Sequence, residues 1–248
     1  MTRSMRRPLV LGLAILAVAA AACAVWLLSP AEDLSAWRKG TPPHRWATWQ
    51  RQEERWQEEG SHRKVEHSYV PLAAISIELQ LAVLVGEDID FFGHGPLDVD
   101  AIIEAVESRK PGSRLRGAST ITQQLAKTLF LSGERTFWRK LREARLAWWM
   151  ERRLGKRRIL ELYLNAVEFG PGLFGAEAAS EHYFGIPATD LDADQGAALA
   201  AAIPSPGRDN PTTASRRWQF RRSTILRRMG NANWLRGRLE ALSDSEKH

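Results

Sequence analysis

Cysteine is nearly absent from this chain. Cys23 is its one cysteine, so no intramolecular disulfide can form, and the count says nothing about redox compartment. Strict apolar–polar alternation is also scarce, which argues against a fold of half-buried strands and for a mainly α one. No internal repeat and no low-complexity tract is present. Charge is missing from one long stretch: Pro8 to Leu28 carries no charged side chain. That run matches the roughly 20 residues a helix needs to cross a bilayer core.

Arg3, Arg6 and Arg7 precede the run, which predicts a cytoplasmic N-terminus (1–7), a transmembrane helix (8–28) and an exported remainder. The competing reading is a signal peptide cleaved near the small residues Ala19 to Ala24; Val25 to Leu28 continue the apolar run and favour a retained anchor. Residues 29–65 read as a juxtamembrane connector with Trp37, Trp46, Trp49 and Trp56 among charges. A polar helix over Gln50 to Glu59 would lie near the membrane surface or be a solvated link. The chain is 44% hydrophobic and 26% charged, enough for a packed domain, which is expected over 66–230 with a helical or frayed tail at 231–248. The net charge of +6 favours anionic partners: nucleic acid, acidic lipid or a pyrophosphate-bearing substrate.

Four helices are expected in the domain: Ile77 to Ile89 with Ser76 as N-cap, Ser119-Thr120 to Phe130, Phe137 to Leu154, and Arg157 to Asn165. Glu87-Asp88 closes the first, an almost wholly apolar helix. Burial and the negative end of the helix dipole both disfavour a charged acid there, which raises its pKa toward the range of a general base. Solvating a helix end, or bonding His94, is the plainer use of such acids. Thr120 and Gln123 have capping-box spacing, and free N–H groups at that helix start would attract phosphate. Arg139, Lys140 and Glu143 share a helical face, as a pyrophosphate site or as a surface salt bridge. Trp148, Trp149 and Met150 read as core packing. From Arg216 to Met229 the chain is basic; Phe220, Ile225, Leu226 and Met229 would form an apolar face, so an amphipathic helix competes there with a nucleic-acid segment. An exported domain argues against nucleic acid.

Taken in order, these segments resemble the peptidoglycan glycosyltransferases (glycosyltransferase family 51), and among them the monofunctional biosynthetic branch. The motifs are Glu87-Asp88-Ile89-Asp90-Phe91-Phe92-Gly93-His94-Gly95-Pro96; Gly117 to Gln124; Arg139-Lys140-Leu141-Arg142-Glu143; Ile159 to Asn165; and Arg221-Arg222 through Met229. The resemblance covers about Tyr69 to Met229.

It implies a lysozyme-like, two-lobed domain whose smaller, membrane-dipping lobe lies near Leu97 to Arg116. It implies polymerisation of lipid II onto a growing lipid-linked glycan, with inversion and release of undecaprenyl pyrophosphate, at the periplasmic face of the inner membrane. On that resemblance Glu87 is the general base and Glu143 the second acid, acting directly or through a divalent metal, Mg or Mn. Ser119, Thr120, Gln123, Gln124, Lys127, Arg135, Arg139 and Lys140 correspond to substrate-binding positions; Asp88, His94, Tyr163 and Asn165 shape or stabilise the cleft. Inner-membrane lipids and other wall-synthesis and division proteins are the implied partners, and no organic cofactor. Pro96 departs from the family's glycine and Thr128 from its asparagine. Ser61-His62-Arg63-Lys64 has the spacing of a penicillin-binding serine site, but the chain has no partner motifs for it. The alternatives are a lytic glycan-cleaving enzyme on a related fold and a catalytically silent scaffold for wall synthesis.

Overall fold

The computed structural model describes residues 32–43, 45–98, 119–131, 133–134 and 136–244, with isolated positions 18, 21, 25, 26, 29 and 103. Two compact units divide the chain, Met1–Asp33 and Leu34–His248. In the first, Ser29 closes a helical turn onto the carbonyl of Val25, at 2.9 Å through its N–H and 2.6 Å through its hydroxyl. Among the described residues no helix is long and apolar enough to cross a membrane. The span expected at 8–28 and the small lobe expected near 97–116 fall almost entirely outside those residues.

The second unit is mainly helical, with α1 (Ala47–Glu58), α2 (Ile77–Glu87), α3 (Ile121–Phe130), α4 (Phe137–Ala166), α5 (Ala176–Phe184), α6 (Ala193–Ala202), α7 (Arg216–Met229) and α8 (Asn233–Asp244). A small sheet of β1 (Glu66–His67), β2 (Glu168–Gly170) and β3 (Leu173–Phe174) has the order β1-β3-β2. Glu66 and His67 pair parallel to Leu173 and Phe174, and β2 runs antiparallel to β3.

The centre of the fold is α2. Leu79 to Val85 are all buried, so the helix has no solvent face, as its unbroken apolar sequence requires. Ser76 caps it by accepting from the Leu79 N–H at 3.1 Å. It packs against α6, α7 and α8. Closest approach falls at Gly196, where a Cβ would come 3.0 Å from the backbone of Glu78. Two ends of the chain that read as peripheral are in fact part of this unit. Trp37, Trp46 and Trp56 are buried, Arg158 donates to the Trp37 carbonyl at 2.8 Å, and α1 holds the end of α3 through Thr48 and Arg51, which donate to the carbonyls of Thr128 and Leu131. The connector expected at 29–65 is therefore domain from Leu34 onward, because its tryptophans have apolar partners to bury against. Gly172, at φ +74°, leaves room for one of them: a Cβ there would overlap the Trp56 ring. The expected tail forms α8, which buries Leu235 and Leu239 and pairs Arg236 with Glu78 of α2.

Two helices expected at Phe137 to Leu154 and Arg157 to Asn165 meet at Gly155, whose φ of +75° and ψ of 158° break α4 where the sequence placed the gap. In its second arm, Glu161 accepts from the Tyr69 hydroxyl at 2.5 Å, from the Leu72 N–H at 3.1 Å and from Arg158. Asn165 exchanges two hydrogen bonds with the backbone of Val70, at 3.0 and 2.9 Å. These bonds tie the segment 69–72, which leads into α2, to α4. Replacing Glu161 by Ala strands the largely buried Arg158 guanidinium and should cost about 3–5 kcal/mol of unfolding free energy in urea titration; a loss below about 1 kcal/mol would refute that account of the tie.

Candidate active site

The start of α3 is built before any substrate arrives. Thr120 accepts from the Gln123 N–H at 3.2 Å while Gln123 Oε1 accepts from the Thr120 N–H at 3.1 Å, the capping box its spacing predicts. The Thr120 hydroxyl also donates to the Pro96 carbonyl at 2.9 Å, so the departure at Pro96 leaves the first motif tied to the second. Asp88, just beyond the end of α2, accepts the Ile121 N–H at 2.9 Å through Oδ2. A protein carboxylate thus already occupies the positive end of α3. Of the N–H groups expected to be open to phosphate at this helix start, those of Ile121 and Gln123 are engaged by Asp88 and Thr120. Gln123 is buried with its Oε1 engaged in the cap, and Thr120 lines the cleft wall with its hydroxyl bonded to Gln123 and Pro96.

Asp88 Oδ1 lies 2.6 Å from His94 Nε2, and His94 Nδ1 lies 2.6 Å from the Gly95 carbonyl. Both ring nitrogens face oxygen atoms, an arrangement that favours the imidazolium beside an ionised Asp88. Burial pulls its pKa down, but the Asp88 carboxylate and the Gly95 carbonyl together carry it above its ordinary value. Asp88 is itself raised by burial, against the pull of His94 and the Ile121 N–H.

Glu87 ends α2 with its side chain 11% exposed. Oε2 accepts from Gln124 Nε2 at 3.0 Å, and Oε1 accepts from Arg221 of α7, which also donates to the Gly86 carbonyl at 3.0 Å. Burial raises the Glu87 pKa, while Arg221 and Gln124 pull it back. Behind Gln124 stands the fully buried Tyr163, its hydroxyl 2.8 Å from Gln124 Oε1. A cleft of about 290 Å³ opens over Glu87 and Asp88, walled by Ser119 and Thr120 on one side and Arg228 on another.

From the other side of the α3 start comes the first arm of α4. Glu143 is buried and accepts from Arg139 at 2.5 Å and from Lys140; Lys140 also donates to the Ser119 hydroxyl at 3.1 Å. Lys127 is exposed on α3, and desolvation lowers its pKa, with Glu143 opposing and Arg139, Arg51 and Lys140 adding to the fall. Three cations, Lys127, Arg139 and Lys140, thus surround one carboxylate. Among the described residues no group of three acids, histidines or cysteines converges to hold a metal. Glu143 already spends both oxygens on cations, so a divalent ion at this acid does not fit the residues present, whereas an anion does.

The structure therefore brings Glu87, Asp88, His94, Ser119, Thr120, Gln123, Gln124 and Tyr163 to one end of α3, and joins Lys140, Arg139 and Glu143 to it through Ser119. Arg135 lies outside the described residues. Asn165 stabilises the fold around Val70. Arg221 is the residue that sequence reasoning left without a role, although the arginine pair of the last motif pointed to it. The helix that carries Arg221 buries Trp218, Ile225 and Met229, with the Trp218 indole donating to the Ala198 carbonyl at 2.9 Å. Phe220, expected on the apolar face, is 74% exposed instead, because Trp218 is the aromatic on the side of α6. Trp148 and Trp149, expected in the core, are only half-buried and stack under Arg152 and Arg153; Met150 is buried.

A base-capable carboxylate beside a receptor for anions is the equipment of a group-transfer enzyme whose leaving group is anionic. Residues 53–230 match the Transglycosylase family, and the chain belongs to it. It is 49% identical over 167 residues to a biosynthetic peptidoglycan transglycosylase of Aeromonas hydrophila subsp. hydrophila, covering 67% of this chain and 71% of the relative. A protein of the same name from Ralstonia nicotianae is 52% identical over 143 residues, 57% and 61% of the two chains, and one from Herminiimonas arsenicoxydans is 43% identical over 177 residues, 71% and 77%.

The His94–Asp88 pair has a pH signature. A histidine whose folded pKa is raised contributes stability that is full below its unfolded value, about 6.5, and is lost as pH rises through the folded value. Unfolding free energy should therefore fall as pH rises above about 6.5, and His94→Ala should flatten that decline; an equal slope in both proteins would contradict the raised pKa of His94.

Proposed function

We propose that this transglycosylase is a peptidoglycan glycosyltransferase that polymerises lipid II into glycan strands, with inversion at the anomeric carbon and release of undecaprenyl pyrophosphate. The observation that carries the reading is the continuous chain of contacts from Glu87 through Gln124 and Ser119 to Lys140 and Glu143, which sets a base and an anion receptor on either side of one helix start. The names of its relatives support the substrate class.

Glu87 takes the proton of the acceptor's sugar hydroxyl as that oxygen attacks the anomeric carbon of the donor. The bond from that carbon to the pyrophosphate oxygen breaks, and the anion departs toward Lys140, Arg139 and Lys127, with Ser119 beside them. Glu143 holds Arg139 and Lys140 in place; their donors converge without further ordering when charge develops, which is where such groups are most effective. Asp88 anchors α3 to the end of α2 and keeps Glu87 and Ser119 on one cleft. Each step uses side chains alone.

A lysozyme-like lobe arrangement, and anchoring by 8–28 with the domain on the periplasmic side of the inner membrane, complete the reading. They are supported by the uncharged run from Pro8 to Leu28 and by a substrate whose polyprenyl tail stays in the bilayer. A lytic enzyme acting on a neutral glycosidic bond has no use for the three cations around Glu143, and for that reason the synthetic reaction is preferred.

Polymerisation of labelled lipid II in detergent tests this. Glu87→Gln should abolish product, and Lys140→Ala should lower kcat about 100-fold, the usual cost of one lost charge-stabilising donor. Long glycan made by the Glu87→Gln protein at near wild-type rate would overturn the assignment.

A further inference from the structure

Gln124 is a substrate-contact position by sequence resemblance, yet its amide is engaged on both sides within the protein. Nε2 donates to Glu87 Oε2 at 3.0 Å and lies 3.5 Å from the Ser119 carbonyl, while Oε1 accepts from the Tyr163 hydroxyl at 2.8 Å. Tyr163 is 1% exposed and does not line the cleft over Glu87. An amide can be turned either way, but the two orientations are not equivalent here. Turned over, Oε1 would face a carboxylate and a carbonyl with no donor between them, and the Tyr163 proton would have no acceptor.

We propose that Tyr163 is a positioning residue for Glu87, acting through Gln124: its hydroxyl locks the amide with the nitrogen toward the carboxylate and so favours the ionised, proton-accepting form of the base. The proposal rests on the reading of Glu87 as the base. Burial drives the Tyr163 pKa well above its ordinary value, with Glu87 adding to the rise, so the hydroxyl keeps its proton at any working pH. Several other charged groups bear on Glu87. Arg221 contacts it from α7, Asp88 follows it with His94 attached, and Asp90, Asp98 and Arg228 line the same cleft. None of these is altered by removing one phenolic oxygen from beneath Gln124.

The test is the pH dependence of lipid II polymerisation by the full-length enzyme in detergent. Without the hydroxyl, Oε1 loses its donor, the amide is no longer held, and the ionised carboxylate loses a hydrogen bond. Tyr163→Phe should move the acid limb of kcat upward by about 0.5–1 on the pH scale, with KM for lipid II unchanged. Gln124→Leu should move it the same way, and the double variant should move it no further than Gln124→Leu alone, because the two residues act as one path. An unmoved limb in Tyr163→Phe, or additive shifts in the double variant, overturns the proposal. If Tyr163→Phe does not fold, Gln124→Leu decides: an unmoved limb there overturns it equally. Glu87→Gln run alongside separates the two readings. An inactive Glu87→Gln protein with an unmoved limb in the other variants removes only the role of Tyr163, whereas an active one removes the base assignment and this proposal with it.

Discussion

The bond from Asp88 to the backbone N–H of Ile121 is the constraint on which the site depends. It joins the carboxyl end of a wholly buried helix to the amino end of another, so that α2 delivers Glu87 where α3 delivers Ser119 and Gln124. A carboxylate at a helix N-terminus is favoured by the exposed N–H groups there. The same carboxyl group is anchored from the far side by His94, whose other ring nitrogen meets the Gly95 carbonyl. Breaking this joint would leave Glu87 paired with Arg221 but no longer held beside Gln124 and Ser119.

Burial and charge oppose each other at Glu87, and the balance suits a base. Desolvation pushes the carboxyl pKa up; Arg221 and Gln124 return part of that shift. On the other side of α3 the balance is reversed: one buried carboxylate, Glu143, sits among Arg139, Lys140 and Lys127, and the local excess is positive. On the proposed reading, one helix start separates the proton acceptor from the cations that meet the anion, the two demands of moving a sugar from pyrophosphate to a hydroxyl.

Much of this was legible residue by residue. Ser76 and Thr120 as caps, the capping box to Gln123, the gap in α4 at Gly155 and the pairing of Arg139, Lys140 and Glu143 all follow from local spacing, and each is present. What local spacing misjudged were long-range partners. Four tryptophans among charges looked like a membrane-surface connector until α3, β3 and Arg158 were seen to cover three of them. The last residues read as a helical or frayed tail, and spacing did not show that their helix packs on α2 with Arg236 paired to Glu78. Spacing also did not show that Asp88 takes the Ile121 N–H at the start of α3.

The amino-acid sequence by itself determined the helical class, the caps and breaks of the helices, and the ordered motifs that mark the family, because those depend on neighbours within a few residues or on residue identity alone. Only the tertiary structure decided which side chains are spent on one another and which remain for a ligand. That outcome is set by contacts between residues more than thirty apart, such as Asp88 with Ile121 and Glu87 with Gln124 and Arg221. No periodicity carries such pairings, since they arise from how α2, α3 and α7 pack around a common core.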